Sequence, residues 1–345
     1  MLTLPPFAFA RPTTIEAALD ALATGDALLI AGGTDLLPSM KQGLFAPKTL
    51  VSLGAIAELE TLSVAPDGSP VIGAGVTLSR LATDPEVAAR CPALGQAAAL
   101  VASPQVRNAA SLGGNLCLDT RCPYYNQSEF WRSALGFCLK KDGDVCHVVP
   151  KGQRCVAAFS ADTPLPLIAY GASVVLRSRG AQRTLPLRDL YVADGVKNTV
   201  RADDELLTAV VVPPQPSGTR AIYRKLRVRQ AIDFPALSVA VCGRQDAHGN
   251  VVALNIVVGA IAAAPRVIAG LDALAVGRKL ERALIERVAE HVRRQCQPLK
   301  NIDLDPGWRR EVLATEVTRA LEQLSSCGPS SVAFGANPEA TEETS

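Results

Sequence analysis

The sequence has few of the residues that build hydrolytic or nucleic-acid-binding sites. It has three histidines, His147, His248 and His291, and none of them stands in a pattern that suggests Ser/His/Asp catalysis. The 35 basic and 33 acidic residues are interspersed and nearly cancel, to a net charge of +2. Neither a nucleic-acid footprint nor a polybasic membrane patch is visible, so we expect no nucleic acid and no membrane among the partners.

Long apolar segments and targeting signals are missing as well. The longest apolar run, 251–264, includes Asn255 and Gly259 and is shorter than the roughly 20 residues that span a bilayer. The N-terminus has no basic start followed by an apolar core and a cleavage site, so we expect no secretory signal and a cytoplasmic location. Disulfides do not persist in a reducing cytoplasm, where clustered cysteines more often bind metal or carry out redox chemistry.

Cysteine is the residue that the sequence concentrates. Cys122, Cys138, Cys146 and Cys155 follow one another with the spacing C-x15-C-x7-C-x8-C. Four thiolates suit a tetrahedral zinc ion or a cubane iron–sulfur cluster. The spacing lacks the C-x2-C pair of most zinc ribbons and favours a bulky cluster held by a long loop, with a zinc-stapled scaffold as the alternative. The cysteines interpreted as packing residues are Cys91, Cys242, Cys296 and Cys327.

Two glycine turns precede the cysteine stretch. Ala31–Asp35 and Ser111–Asn115 are both interpreted as turns whose glycines let backbone N–H groups approach an anion. Two such turns can clamp a pyrophosphate from both sides, which favours a dinucleotide, although no G-x-G-x-x-G fingerprint indicates a Rossmann fold. Asp35 is awkward beside a phosphate and is interpreted as a helix cap or a ribose partner. Gly73 and Gly75 are interpreted as structural.

The hydrophobic pattern predicts alternating strands and helices in three units. Helices are predicted at 13–25, 34–41, 77–81, 85–90, 92–101, 164–170, 265–271, 280–296 and 308–324. Strands are predicted at 27–30, 49–53, 62–64, 71–73, 174–177, 205–212, 222–227, 237–242 and 251–258. Pro213–Gly218 is the clearest linker, and 328–345 is predicted to be a disordered tail.

At these residues the chain resembles the flavin subunit of the molybdenum hydroxylase family, the medium subunit of xanthine dehydrogenase-like and CO dehydrogenase-like enzymes. AGGTDLLP at 31–38 and SLGGN at 111–115 resemble that family's two FAD-pyrophosphate loops. The resemblance implies an α+β fold, with a FAD-binding domain of the PCMH or vanillyl-alcohol-oxidase type made of two α/β subdomains, 1–55 and 56–216. A CO dehydrogenase flavoprotein-type α+β domain would follow at 217–327.

An insertion at about 117–158 resembles one branch of the family, the β subunit of 4-hydroxybenzoyl-CoA reductase. NLCLDTRCPYYNQSEFWRSALGFC and CHVVPKGQRC are similar to a loop that carries a [4Fe–4S] cluster there. That branch's four ligands match Cys122, Cys138, Cys146 and Cys155, whereas Cys117 is not carried over as a ligand. The aromatic residues predicted to give the cluster apolar cover are Tyr124, Tyr125, Phe130, Trp131 and Phe137.

The resemblance also implies the FAD site residue by residue. Asp162 would meet the ribose or adenine end, Val101 and Leu207 would be apolar walls, and Lys225 would lie near the flavin and stabilise its anionic reduced form. The implied FAD-binding residues are Leu29, Ile30, Ala31, Gly32, Gly33, Thr34, Asp35, Leu36, Val101, Ser111, Leu112, Gly113, Gly114, Asn115, Asp162, Leu207 and Lys225.

The function implied is that of an electron-transfer subunit without catalytic residues of its own. The implied partners are a molybdopterin-containing large subunit and a [2Fe–2S] small subunit. In the closest branch, electrons from ferredoxin enter at [4Fe–4S] and pass through FAD and [2Fe–2S] to molybdenum, where 4-hydroxybenzoyl-CoA loses its phenolic hydroxyl. A related aromatic or heterocycle hydroxylase would run electrons outward. A self-sufficient flavoenzyme is a further alternative, but no acid or base for it is visible.

Overall fold

A small parallel sheet begins the chain. Residues 3–326 are described by the computed structural model, so Cys327 and the predicted tail at 328–345 lie outside the described residues. Strands β1 (Ala8–Ala10), β2 (Ala27–Ile30) and β3 (Thr49–Ser52) pair in the order β1-β3-β2. Helix α1 (Ile15–Leu22) is capped by Thr14, whose hydroxyl accepts from the N–H of Ala17 at 3.2 Å. Helix α2 (Leu36–Lys41) lies between β2 and β3 in sequence.

A five-stranded antiparallel sheet forms the second unit, and its strand order is β4-β5-β8-β6-β7. Its strands are β4 (Leu62–Val64), β5 (Pro70–Gly73), β6 (Ser173–Ser178), β7 (Ala181–Pro186) and β8 (Leu206–Val211). A 3₁₀ turn, Ala57–Glu60, precedes β4. Gly73 packs so closely that a Cβ there would clash with the carbonyl of Leu59, which agrees with its interpretation as a structural glycine.

Most helices of the second unit lie between β5 and β6 in the chain. They are α3 (Leu78–Thr83), α4 (Pro85–Arg90), α5 (Pro92–Ala99), α6 (Pro104–Ala109), α7 (Leu112–Leu116), α8 (Glu129–Leu135) and α9 (Pro164–Ala169), and α10 (Leu187–Leu190) follows β7. Four of these helices, α4, α5, α6 and α9, begin with proline, which has no N–H to leave unpaired in the first turn.

The third unit is an antiparallel sheet covered by two long helices. Strands β9 (Thr219–Leu226), β10 (Leu237–Gln245), β11 (Val251–Gly259) and β12 (Arg266–Val267) pair in the order β12-β11-β10-β9. Helix α11 (Leu271–Ala275) leads to α12 (Arg282–Gln295) and α13 (Pro306–Ser326), which pack together over the sheet. Helices α5 and α9 of the second unit contact this sheet from its other side.

The predicted helix at 265–271 is wrong. Arg266 and Val267 instead form the edge strand β12, which pairs with β11, and α11 begins only after Gly270, whose φ of 75° is left-handed. Pairing with a sheet edge overrides the local helical pattern here. Besides β12 and α11, seven short elements were not predicted: the 3₁₀ turn, β1, β7, α6, α7, α8 and α10. Among residues 3–326, no helix is both long and apolar enough to cross a membrane.

Candidate functional site

The first glycine loop, 31–35, connects β2 to α2 and presents unpaired backbone donors. Within the described chain, the N–H groups of residues 32–35 donate to no acceptor. Gly33 has a left-handed φ of 67°, and a Cβ on Gly32 would clash with the carbonyl oxygen of Ala109. Glycine is therefore required at both positions, and successive free N–H groups in such a concave turn form an anion-binding nest.

The second glycine loop, Ser111–Asn115, is built differently from the sequence interpretation. Most of this segment is helix α7 itself (Leu112–Leu116), with Ser111 as its cap. The N–H groups of residues 112–115 are already used: for example, Gly113 donates to the carbonyl of Ala74 at 2.7 Å, and Gly114 donates to the Ser111 hydroxyl at 3.1 Å. This loop therefore does not form a second anion-binding nest, because its N–H groups bind the Ser111 cap and the backbone that follows β5.

The glycines of the second loop instead allow close packing on one side and leave open space on the other. A Cβ on Gly113 would lie 2.8 Å from the Cβ of Ala74, so this glycine serves internal packing. Gly114 is exposed, and a Cβ there would approach only the Ser111 hydroxyl. The contact between Gly32 and Ala109, two residues before Ser111, brings the two loops side by side. Together the two loops form one surface, with the free N–H groups of residues 32–35 on one side and the exposed Gly114 on the other.

Two of the predicted FAD-binding residues contact each other. The ammonium of Lys225 lies 2.8 Å from the carboxylate of Asp162, and both side chains are almost fully buried. The hydroxyl of Tyr223 also donates to this carboxylate, and Lys225 donates to the carbonyl of Leu100 at 3.1 Å. Burial raises the pKa of Asp162, while the charge of Lys225 opposes that rise. Lys225 is thus a paired cation rather than a free one.

Asn115 ties the second loop to the neighbour of Asp162. Its side-chain oxygen accepts from the N–H and the hydroxyl of Thr163, at 3.1 and 2.6 Å. This bond fixes the start of α9 against α7. The predicted apolar walls, Val101 and Leu207, lie in the large hydrophobic cluster around β8 and α5, and Leu112 of the second loop belongs to the same cluster. Leu29, Ile30 and Leu36 pack in the N-terminal sheet's clusters.

The four predicted cysteine ligands converge. Cys122, Cys138, Cys146 and Cys155 line one cavity, although they span 34 positions of the chain. Three of them are buried and Cys122 is half-buried. The loop is closed at its base by Arg121, whose backbone N–H and carbonyl pair with Ala158 at 2.8 and 2.6 Å. This antiparallel bridge holds the two ends of the loop together.

The spacing of the thiols bears on the group that they fit. Among residues 3–326, no three His, Cys, Asp or Glu side chains lie close enough together to hold a single metal ion. Zinc requires all four sulfurs within about 2.3 Å of one point, whereas a cubane shares four thiolates among separate irons. The four thiols that line the cavity are the donor type that both groups use.

Two of the thiols, Cys122 and Cys155, are held in the protonated form by burial. Burial raises the pKa of Cys122 to about 11, and the neighbouring thiols add to the rise. Burial also raises the pKa of Cys155, against the opposing charge of Lys140. Iron would have to displace these protons, as metals do when they bind thiolates.

The aromatic cover is only partly as predicted. Tyr124 and Tyr125 line the cavity, and Tyr125 is buried with its hydroxyl 2.9 Å from Asp119. Phe130 and Trp131 do not cover it, because they lie on α8 with 83% and 37% of their surface exposed. Of the packing cysteines, Cys91, Cys242 and Cys296 are buried as predicted.

Comparison with known proteins decides the family. The model of the FAD binding domain in molybdopterin dehydrogenase matches residues 5–215, and that of the CO dehydrogenase flavoprotein C-terminal domain matches residues 221–324. The chain belongs to the FAD-binding subunits of the molybdenum hydroxylase family. The predicted fold class is thereby confirmed.

Relatives of this FAD-binding subunit agree. It is 34% identical to the aldehyde oxidoreductase FAD-binding subunit of Escherichia coli K12 over 69% of this chain and 77% of that one. It is 28% identical to the carbon monoxide dehydrogenase medium chain of Hydrogenophaga pseudoflava over 92% and 96%. A solved structure of the carbon monoxide dehydrogenase from that organism, lacking the Mo-pyranopterin moiety of its cofactor, matches with a TM-score of 0.76 at 25% identity, covering 93% of this chain and 97% of that chain.

The geometry of this FAD-binding subunit fits the cofactor that its family implies. The free N–H groups of residues 32–35 suit a pyrophosphate, and the exposed Gly114 leaves room for close approach. Asp35, predicted to be a helix cap or a ribose partner, agrees with the first alternative in position only. It occupies the cap position of α2 without a side-chain bond to the helix, and its carboxylate pairs with Arg121.

Two arginines of the inserted loop were missed by the sequence reasoning. Arg121 pairs with Asp35 and lies 4.8 Å from the ring of Phe234. Arg132, on α8, is buried and donates to the carbonyls of Gln42 and Gly43. These contacts join positions about 90 residues apart, so no local pattern could have indicated them.

Proposed function

We propose that this FAD-binding subunit is the electron-transfer subunit of a 4-hydroxybenzoyl-CoA reductase-like complex, and that its inserted loop holds a [4Fe–4S] cluster. The observation that supports the cluster most strongly is the convergence of Cys122, Cys138, Cys146 and Cys155 on one cavity. A loop that served only as a surface excursion would have no reason to bury thiols together, since unpaired thiols gain little from one another.

The FAD would be held at the meeting of the two glycine loops. Within the 29–36 segment, the free N–H groups of residues 32–35 would bind the pyrophosphate, and Ser111–Asn115 would lie on its other side. Asp162 and Lys225 would approach the cofactor as a pair, and Val101 and Leu207 would back the site from the core. FAD exchanges one or two electrons and an iron–sulfur cluster exchanges one, so a chain with both connects pair and single-electron carriers.

The substrate chemistry would take place on another subunit. The Hydrogenophaga relative is named a medium chain, which supports partners of the kind that such a chain accompanies: a molybdopterin-containing large subunit and a [2Fe–2S] small subunit. Ferredoxin would be the electron donor in the cytoplasm, and the complex would remove the phenolic hydroxyl of 4-hydroxybenzoyl-CoA. On this chain no described acid or base stands free beside the glycine loops, since Asp35 and Asp162 are both paired with cations.

Reduction by ferredoxin tests the proposed function. Chemically reduced ferredoxin would be mixed anaerobically with the FAD-loaded subunit, and the loss of flavin absorbance would be followed in the wild type and in Cys138→Ser. The expected result is fast reduction of the wild type and a rate at least about tenfold lower in the variant, because the cluster is the entry point. Equal rates in the two proteins would contradict an entry through this loop.

A further inference from the structure

The inserted loop holds both ends of α2, the helix that follows the first FAD loop. We infer that Arg121 and Arg132 are positioning residues through which cluster assembly and FAD binding strengthen each other. The inference rests on the proposed function, because it needs both cofactors on this chain. Neither arginine belongs to the set of FAD or cluster ligands, and their contacts give them a shared target.

Arg121 acts at the beginning of α2. Its guanidinium pairs with Asp35, the residue at the cap position of the helix and the last residue of the glycine loop. Its backbone closes the base of the inserted loop through Ala158, and the next residue in the chain is Cys122. One residue therefore connects a proposed cluster ligand to the loop that carries the free N–H groups.

Arg132 acts at the end of α2. Its guanidinium donates to the carbonyls of Gln42 and Gly43 at 2.9 and 3.3 Å, and to Gln127 of its own loop at 2.7 Å. The residue is only 2% exposed. Carbonyls at the C-terminal end of a helix lack partners within the helix, so a buried cation that binds them fixes the position of that end.

The segment after α2 packs on the cysteines themselves. Leu44 forms a small buried cluster with Tyr125 and Cys138, and Phe45 and Cys122 pack against it. A Cβ on Gly43 would lie 3.2 Å from the carboxylate of Glu129 on α8, so the two segments touch closely. The proposed cluster ligands and the chain leaving α2 thus share one hydrophobic contact.

These contacts predict a thermodynamic coupling. If a bound cluster orders the loop, the loop holds α2 and the glycine turn in the geometry that FAD needs. FAD binding then has to order less of the protein, so the protein loses less conformational entropy when FAD binds. Coupling of this kind is reciprocal: the factor by which iron tightens FAD must equal the factor by which FAD tightens iron. Arg132 is the residue whose loss should reduce that factor most directly, because it is the buried link.

The test measures FAD affinity with and without the cluster. Full-length protein is prepared with reconstituted iron and sulfide and, separately, after chelation, and FAD is titrated by the quenching of its fluorescence. For the wild type we expect the cluster-loaded form to bind FAD at least about fivefold more tightly, within the usual range of coupling between sites. In Arg132→Met the ratio should fall towards one, while iron and FAD still bind. Arg154→Met, an exposed arginine of the same loop, should keep the wild-type ratio.

The outcomes separate the inference from the proposed function. Equal FAD affinity of the loaded and chelated wild type would overturn the inference and leave the proposed function standing. Failure of the wild type to bind iron at all would overturn the proposed function instead. Should Arg132→Met fail to fold, Arg121→Gln tests the other end of α2, and an unchanged ratio in that variant would count against the inference. Arg132→Lys, which keeps the positive charge, should have a ratio of FAD affinities between those of Arg132→Met and the wild type.

Discussion

Asp162 and Lys225 form a buried ion pair, 2.8 Å apart, that joins the segment before α9 to strand β9 of the third sheet. The pair therefore crosses the contact between the second and third units. Its charges largely cancel, which changes the expected role of Lys225. A lysine that is neutralised by a carboxylate stabilises an anionic flavin less than a free lysine would, and its first task is to hold two parts of the chain together.

Breaking this pair should destabilise the protein strongly. Lys225→Met leaves a buried carboxylate beside Tyr223 without its cation, and we expect a loss of about 3–5 kcal/mol in the free energy of unfolding. Urea denaturation of the FAD-free protein measures it. The double variant Lys225→Met/Asp162→Leu should recover much of the loss, because no buried charge remains. A single-variant loss below about 1 kcal/mol would show that the pair is not the link described.

The first glycine loop should tolerate no side chain at Gly32. Gly32→Ala would push a Cβ into the carbonyl of Ala109 and displace the free N–H groups. We expect FAD to bind at least about tenfold more weakly, equivalent to about 1.4 kcal/mol. Gly54→Ala is the control, since its Cβ would have no neighbour closer than 4.0 Å. FAD titration measures both, and equal affinities would contradict the placement of the pyrophosphate.

Replacing a cysteine should lower the iron content only when that cysteine lines the cavity. Cys138→Ser is expected to lose most of its iron, because Cys138 lines the common cavity. Cys117→Ser is the matched control: this cysteine is exposed, precedes Cys122 by five positions and does not line the cavity. Iron analysis of the two variants after identical reconstitution measures the difference. Similar iron contents would mean that the cavity is not the iron site.

Crowding the cavity should lower iron binding even when no proposed ligand is replaced. A Cβ on Gly195 would lie 2.7 Å from the sulfur of Cys155, so Gly195→Ala must displace that thiol. We expect a lower iron content and an altered electron paramagnetic resonance spectrum of the reduced protein, with normal folding by circular dichroism. An unchanged spectrum at full iron content would show that Cys155 is not a ligand.

The sequence predicted best where the pattern is local. The strand at 27–30, the glycine loop and the helix to Lys41 follow one another as predicted, because hydrophobic periodicity and glycine act over a few residues. The gathering of four cysteines was also predicted, through the resemblance. The structure corrected the second loop, since only the fold shows that its N–H groups are taken by Ala74 and Ser111.

Contacts between residues far apart in the sequence could not be predicted from the sequence. Arg121 and Arg132 look like ordinary loop arginines in the sequence, and their partners become visible only when the chain folds back on α2. The partial exposure of Phe130 and Trp131 was missed for a related reason. Aromatic residues between ligands suggest cover, but which face of α8 is turned inward depends on Arg132, which takes the buried position.

Whether one chain carries both FAD and a four-iron cluster can be determined from the cofactor content of the wild type. The protein would be purified anaerobically and analysed for iron, acid-labile sulfide, zinc and FAD. The proposed function predicts about four iron atoms with matching sulfide, about one FAD, and no zinc per chain. Zinc in place of iron, or a protein that takes up neither iron nor FAD on reconstitution, would contradict it.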